Sequence, residues 1–274
     1  MNEEIYELND EIGRSFMIKI IISDLDGTLL TIDNKVLDND IKAIHSAMDH
    51  GIDFCLASGR KDIDIQAVAA MIGPKFHRIS QNGAFIFLSD NTRLQSTSFA
   101  PIIAKKLYEK IKEDEVITVV STMDKEYIEV KDETIFEIEK RLFSPIIEEK
   151  DLLMKIGQSI NVSKIIVNGC ENIIHNLQKE LADLFPNEVD TFISDVQTLD
   201  VMPKNISKGN AVQILLKHFD IHENQMACIG DSFNDIPMFQ LTENSFAMST
   251  AHPDVQKEAN YVVPTVADAV HQLL

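Results

Sequence analysis

The sequence predicts an α/β fold, a parallel sheet flanked by helices, into which a smaller α+β domain is inserted. Three observations carry that prediction. β-Branched apolar runs alternate with amphipathic helical patterns from residue 18 to about 83. The same rhythm resumes after residue 200. Between the two, short strand signals crowd together with helices in a different order. One domain is therefore assembled from both ends of the chain, 17–83 and 198–274, and residues 84–197 form the insert. Right-handed crossovers are expected in the parallel part.

Residues 18–23 are a buried strand by composition and length, and they lead into Asp24-Leu25-Asp26-Gly27-Thr28. Asp40 is placed to cap a helix bearing Ile41, Ile44 and Met48, with Gly51 closing it. Residues 52–57 read as the second strand, which ends at Ser58-Gly59-Arg60. Ile65, Val68, Ala69 and Ile72 mark a helix stopped by Gly73-Pro74. A short strand at 77–79 leads to Asn82-Gly83, a turn signal. In the insert, strands are read at 84–88, 116–120, 127–130, 165–167 and 191–194, and helices near 100–112, 134–141 and 171–184. Beyond it, Ser207 caps a helix carrying Ala211, Ile214, Leu215 and Phe219. A strand at 226–229 runs into Gly230-Asp231-Ser232-Phe233-Asn234-Asp235. Strands at 245–248 and 261–263 and a helix over 265–274 complete the chain.

The net charge of −19 argues against nucleic acid or an anionic membrane surface as partner. No apolar run approaches the roughly 20 residues of a membrane span. Residues 1–16 lack the basic and apolar regions of a signal peptide and read as a poorly ordered extension. Cys55, Cys170 and Cys228 are odd in number, far apart and without zinc spacing. They read as reduced thiols of a cytoplasmic protein.

Four groups fall at or beside the ends of core strands: Asp24 with Asp26, Ser58-Gly59-Arg60, Lys208, and Asp231 with Asn234 and Asp235. Strand C-termini of a parallel sheet share one edge, where ligands bind, so these groups converge. Alternation turns Asp24 and Asp26 to one side, and two crowded carboxylates call for a cation or an acid–base task. Asp24 and Asp231 offer hard oxygens suited to Mg2+, with the Asp26 backbone carbonyl as a third ligand. Ser58 supplies a hydroxyl and, with Gly59, backbone N–H groups. Lys208 is a point charge able to hold both a phosphoryl oxygen and a carboxylate. Asn234 is a neutral donor, and Asp235 an orienter of water or of Lys208. Arg60 reads as a phosphate ligand, or else as the partner of a neighbouring carboxylate or a side chain that leaves the pocket. Asn82 reads either as a turn residue or as a substrate contact. Such a set describes phosphoryl transfer.

The set also resembles the haloacid dehalogenase (HAD) superfamily, and within it the Cof-type phosphatases. Residues 24–28 are similar to the first family motif, Ser58 to the second, Lys208 to the third and 230–235 to the fourth. Ile206-Ser207-Lys208-Gly209 and Gln81-Asn82-Gly83-Ala84 resemble Cof-type features. The resemblance spans about 17–274. It implies a Rossmann-like core and makes 84–197 a cap that selects the substrate, hinged near 82–84 and 197–203. Asp24 is then the nucleophile that forms an aspartyl-phosphate, and Asp26 the general acid and base. Lys208 joins them in catalysis. Leu25, Thr28, Ser58, Gly59, Lys208 and Asn234 fall on phosphate or substrate. Mg2+ falls on Asp24, Asp231 and the Asp26 carbonyl, with Asp235 behind them.

The implied partner is a small phosphorylated metabolite, a sugar phosphate or a relative, acted on by a cytoplasmic monomer or weak homodimer. A hexose phosphomutase would use the same residues. A signalling module phosphorylated on aspartate is a third reading, opposed by the long insert and the acid at Asp26. Two departures bear on substrate rather than activity. Ser249-Thr250 stands where the family often has Gly-Asn, and Val266–Val270 replaces an Asp-Gly-Val.

Overall fold

The alternation of Ile20, Ile21 and Ile22 feeds both faces of one sheet. Ile21 packs with one hydrophobic cluster, Ile20 and Ile22 with another, and all three are fully buried. A strand buried on both sides reads as a continuous apolar run, which is why 18–23 is legible as the sheet's centre. The structure is a computed structural model that describes residues 17–73, 75–140 and 142–274. The extension expected over 1–16 lies outside the described residues.

The elements run β1 (Ile20–Ser23), α1 (Asp38–Asp49), β2 (Asp53–Ala57), α2 (Asp62–Ile72), β3 (His77–Ser80), β4 (Phe85–Phe87) and β5 (Arg93–Ser96). Then come α3 (Pro101–Ile111), β6 (Ile117–Ser121), β7 (Glu126–Ile128), α4 (Glu133–Glu139), β8 (Ile146–Glu148), α5 (Leu152–Lys155), β9 (Lys164–Asn168), α6 (Glu171–Leu184), β10 (Val189–Asp195) and β11 (Thr198–Pro203). The chain closes with α7 (Lys208–Phe219), β12 (Met226–Gly230), α8 (Ile236–Phe239), β13 (Ser245–Met248), α9 (Pro253–Gln256), β14 (Tyr261–Val263) and α10 (Val266–Leu273).

The first sheet has the order β14-β13-β12-β1-β2-β3-β4-β5. It is parallel from β14 to β3 and antiparallel at the β4 and β5 edge. Residues of α1, α2 and α10 cover one face, and those of α7, α8 and α9 the other. The second sheet, β10-β11-β9-β6-β7-β8, is antiparallel except for the β7–β8 pair. Here α3, α5 and α6 bury Val120, Ile165, Val167, Leu199 and Val201 on one face. The predicted α/β class with an α+β insert is therefore observed. No helix among the described residues is long and apolar enough to cross a membrane.

The expected division at 83/84 and 197/198 does not coincide with the sheets. β4 and β5 extend the first sheet, because the positive-φ turn at Gln81–Gly83 folds β4 back on β3 and left-handed Asn91 (φ 67°), in the Leu88–Thr92 turn, folds β5 back on β4. β11 belongs to the second sheet, because a tight reversal after β10 leaves β10 as its nearest partner. The chain thus crosses between the sheets at about 97–100 and 204–207, not at 82–84. The hairpin β5, β8 and β11 have no counterpart among the strands read from sequence.

Asp40 does not cap its own helix. It lies in the first turn of α1, buried, and its Oδ1 accepts from the Ala267 N–H of α10 at 2.7 Å. It thereby joins the first and last helices of the core. Asp40→Ala should lower stability by about 1–2 kcal/mol, the value of a buried helix-end acceptor. Asp40→Asn keeps the acceptor and should leave the urea midpoint within a few tenths molar of the wild type, because burial raises the carboxyl pKa and the charge itself is not favoured there.

Candidate active site

Asp24 is the first residue beyond β1, and its N–H donates to Ile229 O of β12 at 2.9 Å. Its carboxylate is buried, and so is Lys208, the first residue of α7. Lys208 Nζ lies 2.6 Å from Asp24 Oδ1 and 2.6 Å from Asp235 Oδ1. Asp235 Oδ2 accepts in turn from the N–H groups of Asp231 and Ser232, both at 2.9 Å. Two glycines make room. A Cβ at Gly230 would stand 2.5 Å from Asp235 Cγ, and one at Gly209 2.3 Å from Pro237 O. Gly27, at φ +78°, takes a turn that a side chain would resist, and a Cβ there would meet Asp231 Oδ2 at 2.3 Å.

Two carboxylates share one buried ammonium, and a third, Asp231, lies beside them. Burial pushes Asp24 well above the usual carboxylate range; Lys208 opposes this, while Asp235 and Asp231 add to it. Burial and Asp235 push Asp231 to about 6, against the hydrogen bond from Thr28. Lys208 is raised by its two carboxylates in spite of burial. One oxygen each of Asp24, Asp231 and Asp235 lies within 4.8 Å of the others. Both Asp235 oxygens are engaged, so Asp24 and Asp231 are the pair with hard oxygen to offer. A crowded, under-compensated pair of that kind suits a divalent cation.

The two carboxylates of the first motif do not share a side. The strand ends at Ser23, and the turn that follows leaves Asp26 with 56% of its side chain exposed while Asp24 is buried. Arg60 grips Asp26 with two bonds, Nε to Oδ2 at 2.8 Å and Nη2 to Oδ1 at 2.5 Å. Its guanidinium also lies over Phe143 at 5.4 Å. Of the readings of Arg60, the structure takes the carboxylate partner.

Ser58 follows β2, and its Oγ accepts from the Arg60 N–H at 3.1 Å. Leu25 and Thr28, expected on phosphate, are turned elsewhere. The Leu25 side chain is in the core, and the Thr28 hydroxyl donates to Asp231 Oδ1 at 2.8 Å. Thr250 is exposed and lies outside the cleft lining, so the departure there touches nothing in the site.

Above this floor lies a cleft of about 810 Å³. Asp24, Ser58, Gly59, Asp231 and Asn234 line it from the first sheet. Strand alternation supplies the second wall. Lys164, Ile166 and Asn168 of β9 and Thr198 and Asp200 of β11 face the cleft, while Ile165, Val167, Leu199 and Val201 between them face the helices. Sequence reading missed Lys164 and Asp200. A charge inside an apolar strand run was their signal, since such residues are rarely buried without a partner.

A family model for haloacid dehalogenase-like hydrolases matches residues 21–274. The chain belongs to that family. The HAD resemblance read from the four motifs, its Cof-type branch included, is thereby borne out. An HMP-PP phosphatase of Serratia proteamaculans is 25% identical over 251 residues, 88% of this chain and 87% of that protein. A haloacid dehalogenase-like hydrolase from B. subtilis superposes with a TM-score of 0.85 at 21% identity, covering 93% of this chain and 99% of the other. A Thermotoga maritima protein superposes at 0.79 with 25% identity, covering 94% and 97%.

The crowding of this HAD site makes a pH test. A carboxyl raised from 3.8 to about 6 on folding favours the protonated form. Its contribution to stability is full below the unfolded pKa and is lost as pH rises through about 6. In chelator, Asp231→Asn should therefore be more stable than the wild type at pH 7.5, by about 3 kcal/mol. The difference should shrink as pH falls through about 6 and vanish only below the unfolded pKa of 3.8, as thermal melts across that range would read.

Proposed function

We propose that this HAD hydrolase is a Mg2+-dependent phosphatase of small phosphomonoesters, working through a phosphorylated Asp24. The observation that carries it is the Asp24–Lys208–Asp235 clamp beside Asp231 on the floor of the cleft. The named phosphatase activity of the Serratia relative is in keeping with it.

Asp24 and Asp231 would hold the cation, with the Asp26 carbonyl as third ligand. When bound, Mg2+ neutralises carboxylate and phosphoryl charge and so lets two anions meet. Lys208 orients Asp24 through the 2.6 Å contact and favours its ionised form against the effect of burial. Asp235 fixes Lys208 and, through two backbone N–H groups, the loop that bears Asp231. Ser58 offers its hydroxyl and Gly59 its backbone N–H to the phosphoryl oxygens, the Ser58 N–H being held by Ile79 O at 2.9 Å, and Asn234 offers an amide. The Asp24 oxygen attacks phosphorus and the P–O bond to the leaving group breaks. Asp26 gives its proton to the leaving oxygen, then takes one from the water that cleaves the aspartyl-phosphate. Both Asp26 oxygens are held by Arg60, so this role requires the pair to open as substrate enters. The second sheet closes the cleft over the leaving group and excludes bulk water.

Release of phosphate from p-nitrophenyl phosphate should require Mg2+ and vanish in Asp24→Asn. Equal rates for wild type and variant would sink the proposal. Asp26→Asn should lower kcat by about 10²-fold or more, the usual reach of general acid–base catalysis. Rapid-quench labelling should then show phosphoprotein accumulating, because hydrolysis of the intermediate needs the same carboxylate.

A further inference from the structure

The turn signal Gln81-Asn82-Gly83 is an unusual stretch of backbone. All three residues have positive φ, at 48°, 55° and 110°. For Gln81 and Asn82 this conformation is costly, and it persists only where surroundings over-determine it. The surroundings are the second sheet. Gln81 Nε2 donates to Thr122 O, and Ser163 Oγ donates to Gln81 Oε1, both at 2.6 Å. Asn82 Nδ2 donates to Asp200 Oδ2 of β11 at 2.7 Å.

Asn82 also faces the floor of the cleft. Asn234 Nδ2 donates to Asn82 Oδ1 at 3.0 Å. Asn234 Oδ1 is buried with no hydrogen-bond partner among the described residues, so the bond to Asn82 is what orients this amide. On the other arm, Lys164 Nζ stands 2.7 Å from Asp200 Oδ2 and donates to Gly59 O at 3.1 Å. Lys164 and Asp200 are both buried. A Cβ on Gly59 would lie 3.3 Å from Asn82 Oδ1 and from Lys164 Nζ, so these groups close tightly around the loop. Apart from the Lys164–Asp200 pair, which joins β9 to β11 within the second sheet, every link of this chain crosses from the second sheet to the first or passes through Asn82.

We propose that Asn82 is a positioning residue that carries the seating of the second sheet, through Asp200 and Lys164, onto Asn234 and the Ser58–Gly59 loop. The phosphate-receiving groups are then aligned only when the second sheet is docked. This rests on the phosphatase reading for the identity of the ligand. It gives Asn82 a task that neither a turn nor a substrate contact describes.

The test is binding of inorganic phosphate in Mg2+ by calorimetry, with kcat and KM for p-nitrophenyl phosphate alongside. Asp200→Leu removes the acceptor for Asn82 and also a negative charge from the cleft. Through-space electrostatics alone would make phosphate bind more tightly. Positioning makes it bind about tenfold more weakly, the value of one charge-assisted hydrogen bond. Asn82→Leu should give the same loss, and the double variant no more than either alone, because both cut one chain. Asp200→Asn restores an acceptor and should recover most of the affinity.

Melting curves accompany each variant, and Asn82→Leu carries the test where Asp200→Leu fails to fold. A folded Asp200→Leu or Asn82→Leu that binds phosphate as tightly as the wild type overturns the proposal, as do fully additive losses. Phosphate binding needs no turnover. A wild type that binds phosphate but hydrolyses no ester would overturn the phosphatase reading and leave the comparison among variants valid.

Discussion

Lys208 holds its ammonium out of water between Asp24 and Asp235, and the surrounding sheet edge is shaped by that contact. A buried cation is tolerable only when paired, and removing a partner from such a pair costs about 3–5 kcal/mol. At the first turn of α7 it also opposes the helix dipole, a penalty of about 0.3–1 kcal/mol that two contacts at 2.6 Å outweigh. The demands then propagate. Ser207 must cap α7 through the Asn210 N–H so that the helix begins at Lys208. Gly209 must lack a side chain for the helix to lie against Pro237, and Gly230 must lack one for Asp235 to fold under the β12 loop. Asp235 then presents one oxygen to Lys208 and the other to two backbone N–H groups. Three segments far apart in sequence are held in one register by a single charge.

The second sheet uses simpler physics to the same end. Period-two alternation sends Ile165, Val167, Leu199 and Val201 to the helices, and Lys164, Asn168, Thr198 and Asp200 to the cleft. A charged residue at such a position is buried once the sheets meet, and each is matched there. Lys164 meets Asp200, and Lys61 of the first domain meets Glu126 at 2.8 Å. The interface is thus polar and geometrically exacting rather than a broad apolar contact, apart from a small cluster of Ala84, Phe85, Met202 and Ile206. Hydrogen bonds and ion pairs of fixed direction specify one docked arrangement more sharply than apolar area does.

What the sequence made legible follows from the same distinction. Asp24, Ser58, Lys208 and Asp231 stand at the ends of strongly patterned strands or at a capped helix start, and a parallel sheet gathers such ends at one edge. Their convergence needed no knowledge of side-chain direction. Asp26 did need it. Strand alternation stops at Ser23, three residues short of Asp26, and the turn between them sends Asp26 to Arg60 instead. Asp40 shows the same limit, because a local capping pattern cannot reveal that its acceptor faces an amide 227 positions away. β5 and β11 were unread because their pairing is decided by hairpin reversals rather than by hydrophobic period. Lys164, Asp200 and Asn82 form a site only across two sheets, and no local pattern encodes that partnership.

The net charge of −19 and a phosphate-binding reading are reconciled by range. In physiological salt, charges farther apart than about 8 Å are largely screened, so the cleft and not the whole surface decides what anion approaches. Within it, Lys208, Lys164 and Arg60 each lie against a carboxylate. Their charge is largely spent on holding the protein together. On the phosphatase reading, attraction for a phosphoryl group would come from the Gly59 N–H, since the Ser58 N–H is held by Ile79 O, and from a cation taken up by Asp24 and Asp231. Cation and phosphate affinity are coupled by this arrangement, since each relieves the repulsion that the other faces. An acidic site of this design is weak toward anions in general and selective for those that bring or meet a divalent ion, which is the behaviour that separates a phosphoryl-transfer site from a general anion site.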